Sequence, residues 1–128
     1  MVLSWYLPDE ATPDRDAIAD LVADAGATVP SLWRLEIANA FRTAVRKGRL
    51  TLEQRNQVLT LLDDMNINSE DDTHLRAWSH VLPLADKHGL TPYDATYLEL
   101  AIRKALPLAT LDAALAKAAR DEGLSVLP

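Results

Sequence analysis

An α/β fold is the class this sequence predicts. Helical hydrophobic spacing recurs along the chain, and short apolar runs such as "ATV" (27–29), "PLAT" (107–110) and "LSVL" (124–127) separate the helices. Parallel strands are covered on both faces, so they need not alternate apolar with polar, and runs of this kind bounded by helices are their signature. The expectation is therefore a central parallel sheet with crossover helices, built as one domain over residues 1–128. With 48% hydrophobic residues, the chain can bury a core.

The elements follow in order. A short helix is expected over Val2–Leu7, ended by Pro8, and a second over Pro13–Ala25 from the spacing of Ile18, Leu21 and Val22, with Gly26 as its stop. After the "ATV" strand, Leu32–Lys47 reads as a long helix closed by Gly48. Thr51–Met65 opens with "TLEQ", in which Thr51 and Gln54 can satisfy each other's backbone amides. "NIN" (66–68) suits an edge strand. Residues 73–88 form a helix broken or kinked near Pro83 and ended by Gly89. Thr91–Lys104 follows as a helix, then "PLAT", a helix over Asp112–Glu122 stopped by Gly123, and "LSVL" as the last strand.

Charge and cysteine usage narrow the function classes. A net charge of −6 disfavours loose binding to a phosphate backbone unless the bases cluster. They do: between Pro30 and Arg55, Arg34, Arg42, Arg46, Lys47, Arg49 and Arg55 face only Glu36 and Glu53, a local excess of four positive charges. The bland reading of that cluster is a solvated helix face. No Cys is present, which removes disulfides and thiolate metal sites. No apolar run has the length of a membrane span, and no signal peptide is recognisable, so a cytoplasmic location is expected.

In parallel sheets ligands gather beyond the carboxyl ends of the strands, where the next helices begin. Asp112 lies there, carried by "LPLATLD" from a strand into a helix start. Asp94, in "LTPYDATYLELA", occupies the first turn of its own helix, three residues after Thr91. Each acid can serve as a helix cap or a dipole partner, worth about 1 kcal/mol. Glu36, in "VPSLWRLEIANAF", is placed among Leu32, Trp33, Leu35, Ile37 and Phe41, where a buried carboxylate would need a partner. With Asn39 and Thr43 it forms a polar stripe at helical spacing, facing either water or a cleft shared with Asp94 and Asp112. Three converging carboxylates would repel, and a hard divalent ion such as Mg2+ or Mn2+ relieves the repulsion. Such an ion activates water and stabilises charge on a phosphoryl group. His74, His80 and His88 lack the spacing of a ligand pair, and His74 and His80 read as surface residues of one helix.

"WYLPDE", "VPSLWRLEIANAF", "LTPYDATYLELA" and "LATLDAAL", in that order and spacing, resemble the PIN-domain family, most closely its bacterial VapC toxins. The resemblance covers essentially the whole chain. It implies an α/β/α sandwich with a central parallel sheet, a Mg2+-dependent (or Mn2+-dependent) endoribonuclease, and inhibition by a cognate antitoxin. Its acids fall on Glu36, Asp94 and Asp112, with Asn39 and Thr110 as supporting polar groups, and it suggests a homodimer. The basic cluster of Arg34, Arg42, Arg46 and Arg49 would then guide the RNA backbone.

The sequence also departs from the family. The usual opening, a strand ending in an acid, should precede "VLSWYLPDE", and Met1 falls inside that motif. The first, central strand and the first acid are therefore expected to be missing, through a start assigned too late, a loss of activity, or a gap filled from another copy. The alternative role is that of a catalytically impaired protein that binds an antitoxin, with Trp5, Tyr6, Leu7, Trp33 and Phe41 lining a groove for a partner's amphipathic segment.

Overall fold

The computed structural model describes residues 13–128. The helix expected over Val2–Leu7, the aromatic pair Trp5 and Tyr6, and the opening where a first strand is expected to be missing all lie outside them. Twelve segments follow in order: α1 (Pro13–Ala25), β1 (Ala27–Pro30), α2 (Trp33–Arg46), α3 (Leu52–Asp64), β2 (Ile67–Glu70), α4 (Thr73–Arg76), a π-helical turn (Ala77–Val81), α5 (Leu82–His88), α6 (Pro92–Lys104), β3 (Leu108–Ala109), α7 (Ala113–Asp121) and β4 (Val126–Leu127). Helices separate each strand from the next, as an α/β fold requires. Among the described residues the strands pair two by two, β1 with β2 and β3 with β4. The second pair is parallel, with Leu108 opposite Val126 and Ala109 opposite Leu127.

The described chain divides into two compact units: residues 13–28 with Leu32–Asn68, and Val29–Ser31 with Ser69–Pro128. In the first, Trp33, Ile37, Phe41 and Ala44 recur every three or four residues, which turns them to one face of α2. Phe41 and Ala44 are buried there with Leu50, Val58 and Leu62. The start of α3 is a capping box: the Thr51 amide donates to Gln54 Oε1 at 2.9 Å, and the Gln54 amide to Thr51 Oγ1 at 3.1 Å. Gly26 lets the chain turn from α1 into β1. Its φ is +81°, and a Cβ there would sit 2.5 Å from the Asn66 side chain and 2.9 Å from the Asn66 carbonyl oxygen. That carbonyl accepts the Ala27 amide at 2.9 Å, so a side chain at position 26 would push against the start of the β1 pairing.

The second unit is organised by α6. Leu98 and Ala101 pack with Leu108 of β3 and with Leu115, Ala118 and Ala119 of α7. The alanines of "AALAKAARD" let α7 approach closely while its polar residues stay outward. Ala95 closes a second cluster with Val81 and Ala85. The interruption expected near Pro83 is present: a π turn over 77–81 delivers the chain to α5, where Pro83 occupies an opening position that needs no amide donor. Gly89 ends α5 at φ +65°.

Candidate active site

Two of the three expected acids are brought together at adjacent helix starts in the second unit. α6 begins at Thr91, whose Oγ1 accepts the Asp94 amide at 3.1 Å, followed by Pro92, whose fixed φ suits a first helical position. Thr91 therefore does the capping. The Asp94 carboxylate, half-buried, has no hydrogen-bond or ion-pair partner among the described residues. Burial, and after it the nearby charge of Asp112, pushes its carboxyl above the ordinary value of 3.8.

Asp112 plays a double part. Its Oδ1 accepts the Leu115 amide at 2.8 Å and so caps α7, as its position after a strand predicts. The strand end itself is tied: the Thr110 amide donates to Leu127 O at 3.1 Å, and the Asp112 amide to Thr110 Oγ1 at 3.1 Å. Thr110 thus holds the backbone at Asp112. Two carboxylates close enough to repel, with one already turned toward a helix start, form a site that favours a cation and disfavours a second anion.

Glu36 lies in the first unit, exposed on α2, and Asn39 beside it is exposed as well. Among the described residues no group of three or more His, Cys, Asp or Glu side chains is placed to hold a metal ion. The pair Asp94 and Asp112 supplies hard oxygen donors of the type Mg2+ and Mn2+ prefer. Of the expected RNA-guiding residues, Arg34 pairs with Asp63 at 2.9 Å on an exposed surface, a bond worth under about 1 kcal/mol. Arg42 and Arg46, one helical turn apart on α2, and Arg49 beyond its end are exposed. A groove of about 190 Å³ between α2 and α3 is lined by Trp33, Arg34, Ile37, Ala38, Leu59, Leu62, Asp63 and Ile67. Phe41, expected to line such a groove, is instead fully buried.

The acid that is buried inside an apolar helix is Glu99. It is 5% exposed between Leu98 and Leu100, and both Arg76 and Arg103 donate hydrogen bonds to it, the latter from Nε at 2.9 Å. Burial opposes its ionisation, but the Arg103 and Arg76 hydrogen bonds outweigh that and hold its carboxyl below the usual 4.5. Arg103 Nη1 also approaches Glu70 Oε2 at 3.5 Å, and Lys104 Nζ reaches the same oxygen at 3.2 Å. Sequence reasoning missed this network. The signal is present in "YLELA", where an acid falls on the apolar face of its helix, as Glu36 does in "WRLEIANAF".

Residues 1–121 match the family model of the PIN domain. No curated protein matches the chain. PIN domains are a nuclease superfamily, typically metal-dependent. Among the described residues no helix is long and apolar enough to cross a membrane.

Proposed function

Since the chain belongs to the PIN-domain family, we propose that it is a Mg2+- or Mn2+-dependent endoribonuclease, the toxin half of a toxin–antitoxin pair, acting through Asp94 and Asp112. One observation carries the reading: at the starts of α6 and α7, burial and the nearby charge of Asp112 hold the Asp94 carboxyl above its ordinary value, and Asp94 has no cation partner among the described residues. A protein that needed Asp94 only for folding would gain by pairing or neutralising it. When bound there, a divalent ion supplies charge neutralisation at a phosphodiester and an activated water. Asp94 and Asp112 would hold the ion, and Thr110 would keep Asp112 in place. Glu36 enters as a third acid, and Asn39 as its supporting group, on the sequence resemblance, and the exposed Arg42, Arg46 and Arg49, with Arg34, as guides for the RNA backbone.

The test is Mn2+ and Mg2+ titration by calorimetry, followed by cleavage of a mixed-sequence RNA, with wild type, Asp94→Asn and Glu36→Gln. Binding and cleavage by wild type, with both lost in Asp94→Asn, are the expected results. Cleavage should fall by at least about a hundredfold, the scale of removing one electrostatic contributor to a transition state. Metal binding that survives Asp94→Asn unchanged would overturn the assignment of the site.

A second reading is favoured by the α2–α3 groove, whose apolar walls at Trp33, Ile37 and Leu59 would accept an amphipathic helix from an antitoxin. Trp33→Asp should abolish binding of a cognate antitoxin without altering metal uptake.

A further inference from the structure

The two acids of the proposed site stand on different helices, so neither helix alone sets the distance between them. α7 is poorly equipped to hold its own end of that distance. It has 9 residues, a length of about 14 Å, and among its buried side chains Leu115 is the large one, beside Ala116, Ala118 and Ala119. Side chains so short interlock little with a neighbouring helix. Where α7 faces the last turn of α5, the two are parted by a hollow of about 200 Å³ lined by Lys87, His88, Ala114, Lys117, Ala118 and Asp121.

A polar tie stands beside that hollow. Glu122 closes α7, and its Oε1 accepts from Lys87 Nζ at 2.7 Å and from His88 Nε2 at 2.8 Å. The Lys87 bond first, and the His88 bond after it, hold the Glu122 carboxyl below the ordinary 4.5, which keeps it an acceptor at neutral pH. His88 is the shielded donor: its side chain is 7% exposed against 62% for Lys87, so water screens its bond far less. Because a carboxylate only accepts, Nε2 carries the proton whether the ring is neutral or charged.

His88 also adjoins the start of α6. It ends α5, and Gly89 and Leu90 alone separate it from Thr91, the cap that precedes Asp94. That turn is itself fixed, since the Leu90 amide donates to Ala85 O at 3.0 Å and the Leu90 side chain packs against both apolar clusters of this unit. The contacts close a ring: from Asp94 through Thr91 to His88, across to Glu122, and back along α7 to Asp112. We propose that His88 and Glu122 are positioning residues, which fix α7 lengthwise and so hold Asp112 at the distance from Asp94 that a shared divalent ion requires. The inference rests on the reading of Asp94 and Asp112 as a metal site.

The test is Mn2+ titration of the full chain by calorimetry, beside thermal melting without the ion, at a temperature where circular dichroism shows each variant folded. Wild type, Asp94→Asn, His88→Leu, His88→Gln, Lys87→Met and Glu122→Ala are compared. His88→Leu keeps an apolar side chain in the buried place but has no donor, and should weaken Mn2+ binding on the order of tenfold, the scale of losing a group that orients a metal ligand. His88→Gln offers an amide N–H at a similar reach and should bind like wild type. Lys87→Met should lose less. Glu122→Ala removes the same bond from its less buried side, should match His88→Leu, and decides the matter if His88→Leu does not fold. A melting temperature lowered in His88→Leu with Mn2+ affinity unchanged would make the tie structural only and overturn the positioning role, as would equal losses in His88→Leu and His88→Gln. If wild type takes up no Mn2+, or Asp94→Asn takes it up as wild type does, the metal-site reading fails and the positioning role with it.

Discussion

Helix α6 carries two acids five residues apart, and they are treated in opposite ways. Glu99, in the buried middle of the helix, is held by cations: Arg76 and Arg103 lie on its own carboxylate, and Arg103 is shared onward to Glu70, which Lys104 also reaches. Asp94, at the half-exposed start, meets another acid. One carboxyl is pulled below its ordinary value and the other pushed above it. A fold that satisfies one acid so completely has the means to satisfy the other. The contrast teaches that Glu99 belongs to the stability of the second unit and Asp94 does not, which is what the proposed metal site asks of Asp94.

The sharpest way to break this comparison is to remove Glu99. Glu99→Ala leaves two guanidinium groups around a site that is nine-tenths buried, and should cost about 3 kcal/mol or more in urea unfolding. A cost under about 1 kcal/mol would mean that the network is solvated and idle.

Next in size is the response to metal. At a Mn2+ concentration a hundred times its Kd, wild type should gain about 2.7 kcal/mol of stability by mass action, and Asp94→Asn little of it; thermal melting with and without the ion reads the difference. In the absence of the ion the order reverses. Asp94→Asn removes a repelled carboxylate and should melt slightly above wild type at neutral pH.

Acid titration separates the two groups further. Because the folded value of Asp94 is raised, its ionisation takes stability away as pH climbs from about 3.8 through that raised value, so the advantage of Asp94→Asn should grow over this window and then level off. Glu99 has a lowered folded value. Its stabilising contribution is complete above about pH 4.5 and disappears as pH falls through the lowered value, so Glu99→Gln should approach wild-type stability only in acid. Parallel pH profiles for the two variants would erase the distinction between the acids.

The smallest expected effect lies at the other end of the same helix. Ala105 closes α6 in a left-handed conformation with φ 53°, which strains a residue that has a Cβ. Ala105→Gly should stabilise by up to about 1 kcal/mol while leaving the response of Asp94 to Mn2+ unchanged. A changed metal response would show that the two ends of α6 are coupled.

Much of this was legible in the residues. Helix boundaries followed from local chemistry: the Thr51–Gln54 box, the stops at Gly26 and Gly89, and the opening at Thr91–Pro92 all depend on neighbours within four residues. The same locality explains why the cap at Asp112 was legible, since a strand end running into a helix start is visible in "LATLD". Glu36 and Glu99 could not be told apart there. Both look like acids embedded among apolar residues, but Leu35 beside Glu36 is 76% exposed, whereas Leu98 beside Glu99 is fully buried. Periodicity shows that a face is apolar, not whether anything covers it.

By itself the sequence determined the α/β class, the order of elements and the placing of Asp94 and Asp112 at helix starts, because these depend on hydrogen bonds and sterics between near neighbours. Only the tertiary structure decided which acids share a neighbourhood and which receive a cation. Asp94 feels Asp112 across 18 positions of chain, and Glu99 receives Arg76 across 23. Coulomb energy depends on distance in space and on the water left between the charges, and neither is written in the spacing of residues along the chain.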